Sequence, residues 1–213
     1  MKILIACEFS GIVRDAFIKK EHNAISCDLL PTELPGPHIQ RDVLDILNNG
    51  WDMIIAFPPC THLAVSGARW FKNKQQEQKD AIGFFLSLVT APIERIAIEN
   101  PIGIMSTIYR KPDQIIQPWM FGHSESKSTC LWLKGLSQLE PTQYAEFNEY
   151  RCRCGNILSV ESGKYGCCDY PAKPLWDNQT KSGQNKLTPN INRWKNRSKT
   201  YLGIANAMAD QWG

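Results

Sequence analysis

Asp52-Met-Ile-Ile-Ala-Phe57-Pro58-Pro59-Cys60-Thr61-His62 is the stretch around which the rest of the chain is organised. Its apolar run after Asp52 predicts a buried strand. Pro58 and Pro59 end that strand, because a proline cannot donate a ladder hydrogen bond. Open α/β sheets place ligands beyond the carboxyl ends of their strands. We therefore expect the Cys60 thiol to lie in a stiff loop at such an end and not in a core.

The composition is that of a soluble globular protein, with 213 residues of which 43% are hydrophobic. This length fits one domain with a small insertion. The most apolar region, residues 81–98, is interrupted by Pro92, Glu94 and Arg95, so no membrane span is expected. Glu8 ends the first apolar run too early for a signal peptide. We expect a cytoplasmic protein whose eight cysteines are reduced.

Short apolar runs alternate with helical periodicity along the chain. The runs predict strands at residues 2–7, 23–27, 52–57, 95–98 and 130–133. The periodic segments predict helices at residues 12–20, 72–89 and 200–211. Alternating strands and helices predict an α/β fold with a mostly parallel sheet and helices on both faces.

Three acidic residues follow predicted strands: Asp28, Asp42 and Glu99. In nucleotide-binding α/β folds, a carboxylate about 20 residues beyond the first turn accepts hydrogen bonds from ribose hydroxyls. Asp28 lies at about that distance from Gly11. Because Gly11 stands alone, without the further glycines of a dinucleotide motif, the turn by itself is a weak signal.

In their order along the chain, these motifs resemble the C5-cytosine DNA methyltransferase family, in a short form like those encoded by bacteriophages. The Pro59-Cys60 pair resembles its nucleophile motif, and Glu99-Asn100-Pro101 resembles its Glu-Asn-Val motif. The resemblance implies a Rossmann-like class I methyltransferase sheet that binds S-adenosylmethionine. The cofactor-binding residues that it implies are Phe9, Ser10, Gly11, Asp28, Asp42, Val43, Pro59 and Asn206.

The reaction implied is methyl transfer to carbon 5 of cytosine in DNA. A thiolate, here Cys60, adds to carbon 6 and makes carbon 5 nucleophilic. Glu99 is expected to act as the acid at ring nitrogen 3. The family's two arginines before the last strand are replaced here, and Lys127 is the one cation expected to contact the base.

Four cysteines crowd into a short segment late in the chain. Cys152, Cys154, Cys167 and Cys168 form two pairs beside glycines, and we expect them to bind a structural Zn²⁺ as four thiolates. We place this zinc-knuckle insertion at residues 139–189, as a small target-recognition element. Residues 1–138 and 190–213 would form the methyltransferase domain. The basic residues between 181 and 199 suit phosphate contacts with DNA.

Two alternatives remain open at this stage. The small insertion is also consistent with cytosine modification of a free nucleotide or of RNA. The missing second cation is consistent with a catalytically idle module that binds DNA. The loop at residues 66–72, which contains Arg69, is a further candidate for contacts with the gap that a flipped base leaves.

Overall fold

The computed structural model describes residues 1–65, 73–159, 172–182, 184–187, 191 and 193–213. The chain divides into two compact units. The first contains Met1–Ile116, Ser128–Glu140 and Lys199–Gly213, and the second contains Gln117–Lys127 and Pro141–Ser198. The sequence-based boundaries at 138 and 190 place Gln117–Lys127 with the sheet, whereas in the structure this segment belongs to the second unit.

Seven strands of the described residues form one sheet in the first unit. They are β1 (Lys2–Ala6), β2 (Asn23–Asp28), β3 (His38–Gln40), β4 (Met53–Ala56), β5 (Arg95–Pro101), β6 (Gln114–Ile116) and β7 (Thr129–Lys134). Their spatial order is β3-β2-β1-β4-β5-β7-β6. The first five in that order are parallel, and β7 runs antiparallel to both of its neighbours. The prediction of a mostly parallel α/β sheet is therefore confirmed, and the sheet is compatible with a Rossmann-like fold.

Both faces of the central strands are covered. Helices flank the sheet at α1 (Ile12–Ile18), α2 (Gln75–Val89), α3 (Met105–Ile108) and α5 (Leu202–Trp212), while α4 (Arg193–Ser198) belongs to the second unit. Leu4 and Ile54 share a core cluster with Phe85 of α2. Side chains alternate along a strand, so Ile3 and Ile55 point to the opposite face, and both are fully buried. Strands buried on both faces explain why β1 and β4 are continuous apolar runs.

The second unit contains a small antiparallel sheet. Its described strands are β8 (Glu149–Arg151), β9 (Ile157–Ser159) and β10 (Lys173–Pro174), in the order β10-β8-β9. Trp176 packs edge-on against Phe147, with ring centroids 4.8 Å apart, and lies 6.3 Å from Trp119. These three half-buried rings form an aromatic cluster within the second unit. In the parts of both units that the structure describes, no helix is long and apolar enough to cross a membrane.

Candidate functional site

Four strands of the first unit contribute to one row of paired residues at or near their carboxyl ends. Ala6 of β1 is paired with Cys27 of β2 and with Ala56 of β4, and Ala56 is paired with Ile98 of β5. The strand order reverses between β1 and β4, which makes the crevice beyond their carboxyl ends the expected ligand site of such a sheet. The residues that follow the row are those the sequence singles out: Phe9, Ser10, Gly11, Asp28, Pro59, Cys60 and Glu99.

A buried carboxylate fills the turn after β1. Glu8 is 5% exposed, and its Oε1 accepts hydrogen bonds from Ser10 Oγ at 2.9 Å and from the Val13 N–H at 2.8 Å. Its Oε2 accepts from the Arg14 N–H at 3.4 Å. Burial raises the pKa of Glu8, although these hydrogen bonds act in the opposite direction. The carboxylate thus occupies the amino-terminal end of α1, where a cofactor phosphate binds in dinucleotide folds.

Arg14 holds the loop between β2 and β3 against this turn. Its guanidinium is fully buried and donates five hydrogen bonds. The acceptors are Asp15 Oδ1, Ser26 Oγ, Thr32 Oγ1 and the carbonyl oxygens of Leu34 and Pro35. A Cβ at Gly11 would lie 2.5 Å from the guanidinium, and Gly11 has a φ of 79°, so only glycine fits there. Sequence reasoning missed Arg14, because a lone arginine on a helix is ordinarily exposed.

The two acidic residues predicted for the cofactor occupy different settings. Asp28 is half-buried at the end of β2, where burial raises its pKa and its Oδ1 accepts from the Leu30 N–H at 2.9 Å. Asp42 is exposed and caps the 3-10 turn Val43–Ile46 by accepting from the Leu44 N–H at 3.0 Å. Val43 is 4% exposed and packs in the core. Asp28 therefore lies in the row of strand ends, while Asp42 and Val43 have local structural roles in this arrangement.

The loop after β4 is fixed on both sides before it reaches Cys60. The Phe57 N–H donates to Ala6 O at 2.9 Å. Asn100, which is 1% exposed, donates from its Nδ2 to Pro58 O at 2.8 Å. Cys60 follows as an exposed residue, as the two prolines predict. Asn100 thus links the end of β5 to the cysteine loop, a role that the sequence did not reveal.

The backbone beyond Cys60 is tied to the backbone beyond β5. The Leu63 N–H donates to Cys60 O at 3.0 Å, which forms a single helical turn. The Ile104 N–H then donates to Leu63 O at 2.9 Å. A Cβ at Gly103 would collide with Leu63 O, so these two segments approach as closely as only glycine allows. The contact fixes the cysteine loop relative to the end of β5, where Glu99 lies.

Glu99 lies one residue beyond the row of strand ends, on the strand next to β4. It is half-buried and pairs in register with Leu131 of β7. Burial, with a contribution from the negative charge of Glu99, raises the pKa of Cys130 to about 11. Cys130 therefore stays protonated at neutral pH and is poorly suited to nucleophilic chemistry. The Cys60 thiol thus follows β4, and the Glu99 carboxyl group lies near the carboxyl end of the adjacent parallel strand β5.

Two further predicted site residues lie outside this group. Lys127 belongs to the second unit, and its backbone N–H donates to Gln117 Oε1 at 2.9 Å. Asn206 lies on the exposed side of α5, which packs against α1. The catalytic role of Lys127 and the cofactor contact of Asn206 stay predictions.

The predicted zinc ligands are only partly described. Cys152 is buried and Cys154 is exposed, on a tight turn in which the Gly155 N–H donates to Cys152 O at 2.9 Å. Cys167 and Cys168 lie outside the described residues, as does the loop at 66–72 with Arg69. Among the described residues, no group of three or more His, Cys, Asp or Glu side chains is placed to hold a metal ion. A four-thiolate site therefore stays a prediction.

The basic segment at 181–199 is divided between the units. Lys199 lies in the first unit and forms an ion pair with Glu33 at 2.6 Å. In α4 of the second unit, Trp194 is 53% exposed, and Lys195 Nζ lies 5.6 Å from the centroid of its ring. The exposed Trp194 ring and the cations of this helix are suited to contact a nucleic acid.

Comparison with protein-family models finds no match to this chain, and comparison with curated proteins finds none either. The arrangement itself defines the chemistry available. An exposed thiol follows β4 and a half-buried carboxyl group lies near the end of the neighbouring strand β5, at the edge where open α/β sheets place their ligands. Such a pair can form a covalent bond to an electrophilic carbon while an acid stabilises the charge that develops.

Proposed function

We propose that this chain transfers a methyl group from S-adenosylmethionine to carbon 5 of cytosine in DNA. One observation carries the proposal. Cys60 follows β4, Glu99 lies near the carboxyl end of the adjacent strand β5, and the hydrogen bond from Asn100 to Pro58 O joins the two segments. Covalent activation of a pyrimidine requires a thiolate and an acid held together in this way.

The turn after β1 fits a cofactor that has no phosphate. Glu8 already accepts the hydrogen bonds of the Val13 and Arg14 N–H groups at the amino-terminal end of α1, so a pyrophosphate would find these donors occupied. S-adenosylmethionine carries no phosphate and, when bound, supplies an electrophilic methyl group. Phe9, Ser10 and Gly11 would hold it at the turn, and Asp28 would accept hydrogen bonds from its ribose hydroxyls. The antiparallel β7 between β5 and β6 is compatible with the class I methyltransferase sheet that the resemblance implies.

Cys60 and Glu99 act on different atoms of the cytosine ring. The thiolate of Cys60 forms a bond to carbon 6, and the electron pair of the 5,6 double bond becomes available at carbon 5. Glu99 donates a hydrogen bond to ring nitrogen 3, where negative charge develops. Carbon 5 then takes the methyl group as the bond from that methyl to the sulfonium sulfur breaks, which leaves S-adenosylhomocysteine. A water molecule takes up the proton of carbon 5, the electron pair of that C–H bond re-forms the 5,6 double bond, and the bond between the Cys60 sulfur and carbon 6 breaks. The Cys60 thiolate is then regenerated.

The second unit supports DNA over a free nucleotide as the substrate. It carries the exposed Trp194 beside Lys195, and an aromatic cluster around Trp176. Rings and cations on one surface are typical of proteins that contact nucleic acid. The turn at Cys152 and Cys154 would supply half of a zinc site that stabilises this unit.

The test measures transfer of a labelled methyl group to double-stranded DNA, to RNA and to deoxycytidine monophosphate. Wild-type protein should label the DNA, and Cys60→Ser should not. Thr61→Ala, at the next exposed position of the same loop, is the matched control and should remain active. DNA containing 5-fluorocytosine should trap a covalent adduct with the wild type and with Thr61→Ala only. An adduct with Cys60→Ser would place the nucleophile elsewhere, and no transfer to any substrate by the wild type would refute the proposal.

A further inference from the structure

The second unit contains a cavity of about 610 Å³ to which the proposed methyl transfer assigns no ligand. Pockets of roughly 300–1,000 Å³ are the size that binds small molecules and cofactors. Two segments form its walls, one around Phe147 and one around Trp176, and the Leu175 N–H joins them by donating to Glu149 O at 2.9 Å. Every residue that lines the cavity belongs to the second unit.

One wall of the cavity is aromatic. Phe147 packs edge-on against Trp176 at an interplanar angle of 85°, and the centroid of the Trp119 ring lies 6.3 Å from that of Trp176 at an angle of 31°. These contacts from two neighbours restrain the Trp176 ring, which is only half-buried. A restrained and partly exposed indole offers a flat surface on which a planar base can stack.

The cavity also presents charges of both signs. Glu149 and Asp177 line it together with Lys181 and Lys186, and all four side chains are exposed. Within the described part of the chain, none of the four takes part in an ion pair. The carboxylates are thus available to accept hydrogen bonds from a ligand, and the ammonium groups to contact an anion.

A ligand that contacts the Trp176 ring, a carboxylate and the lysines of this cavity needs a flat ring, adjacent N–H donors and a negative charge. Guanine is the nucleobase whose pairing edge offers two adjacent donors, N1–H and the 2-amino group, which one carboxylate accepts together. Adenine and cytosine each offer an amino group beside an acceptor, and thymine offers one N–H between two acceptors. The aromatic ring and the carboxylates alone would also attract a cationic peptide. Lys181 and Lys186 repel a cation and attract a phosphate, so they favour a nucleotide.

We propose that the cavity of the second unit binds one unpaired guanine nucleotide, with the base on Trp176, its pairing edge on Glu149 or Asp177, and its phosphate near Lys181 and Lys186. The proposal goes beyond methyl transfer and rests on it only in taking DNA as a source of the nucleotide. An unpaired guanine in a DNA strand and a free guanine nucleotide share this chemistry.

The first test is calorimetric titration of the full-length protein with dGMP, dAMP, dCMP, TMP and dIMP. We expect dGMP to bind most tightly. Deoxyinosine monophosphate lacks the 2-amino group and should bind about tenfold more weakly than dGMP, because it keeps only one of the two donors. Equal affinity for all five ligands, or no binding of dGMP at millimolar concentration by folded protein, would overturn the proposal.

Point variants separate the base contact from the phosphate contact. Glu149→Gln and Asp177→Asn are each tested, and one of them should abolish the preference for dGMP over dIMP while weaker binding of all nucleotides persists. Lys181→Ala should weaken all nucleotides alike and reduce the dependence of binding on salt. Lys173→Ala, an exposed lysine of β10 outside the cavity, is the matched control and should bind as the wild type does. An unchanged preference in both carboxylate variants would refute the assignment.

Single-stranded oligonucleotides with one guanine, or with inosine in its place, identify the source of the ligand. Preference for the guanine strand assigns the cavity to nucleic acid, and binding of dGMP without binding of the strand assigns it to a free nucleotide. Both outcomes support a guanine site. Nucleotide binding is measured without S-adenosylmethionine, so a failure to bind guanine nucleotides would not bear on methyl transfer. Likewise, a failure of Cys60 to support methyl transfer would not change the result of the binding experiment.

Discussion

Replacement of Asn100 tests whether the cysteine loop is held by β5. The Asn100 side chain is 1% exposed, and its Nδ2 donates to Pro58 O at 2.8 Å. Asn100→Ala leaves the Pro58 carbonyl buried without this donor, which costs about 1–3 kcal/mol in the free energy of unfolding. In a chain of this length, about 1 kcal/mol corresponds to roughly 2–4 °C in Tm, so a fall of about 2–12 °C is expected.

The effect of this change on catalysis should exceed its effect on stability. A displacement of reacting groups by about 1 Å costs on the order of 10²-fold in rate. We therefore expect methyl transfer by Asn100→Ala to fall by about 10- to 100-fold at a temperature where the variant is still folded. Urea unfolding measures the first quantity and transfer of a labelled methyl group measures the second.

Two further variants decide the cause of the loss. Asn100→Asp keeps the size of the side chain but presents an acceptor to the Pro58 carbonyl, so at pH 7 it should be at least as damaging as alanine. Asn48→Ala removes an exposed asparagine and should change neither stability nor rate. If Asn100→Ala unfolds and reacts like Asn48→Ala, the hydrogen bond does not hold the loop and the reasoning is wrong.

Four further changes test the candidate cofactor residues and the metal site. Because the pKa of Glu8 is raised in the folded protein, its contribution to stability is largest below its ordinary pKa and is lost as the pH rises through the raised value. The difference in unfolding free energy between the wild type and Glu8→Gln should therefore shrink from pH 5 to pH 7. A constant difference would contradict the assignment. Asp28→Ala should weaken S-adenosylmethionine binding by about 1–3 kcal/mol in calorimetric titration. Asp42→Ala, predicted from the sequence to do the same, also removes a cap that is worth about 1 kcal/mol of stability, so thermal unfolding must accompany its titration. Purified protein should contain about one zinc ion per chain and Cys167→Ser should lose it; wild-type protein prepared without chelator that lacks zinc would exclude the site.

The central strands and the position of the nucleophile were accessible from the sequence. β1 and β4 are continuous apolar runs because both faces of a parallel sheet are covered, and two prolines after β4 force Cys60 out of the sheet. The edge strands β3 and β6 have only three residues each, which is too short for a recognisable period. They are strands because a neighbouring strand offers them hydrogen bonds.

Roles that depend on distant partners were not accessible. The bond from Asn100 to Pro58 O joins residues 42 positions apart, and no local pattern indicates it. Arg14 is buried because four acceptors from residues 26–35 surround it together with Asp15, although a helical arginine alone predicts an exposed face. The antiparallel direction of β7 likewise follows from the path of the chain and not from its own composition.

The packing of α1 against α5 has a consequence for folding during synthesis on the ribosome. These helices begin at residues 12 and 202, so the ribosome delivers the second about 190 residues after the first. At roughly 5–20 residues per second, the surface of α1 that α5 covers stays open for about ten to forty seconds. During that interval the nascent chain offers an apolar face to chaperones or to neighbouring chains. Limited proteolysis of ribosome-bound chains should therefore find α1 protected only after Trp212 has left the exit tunnel.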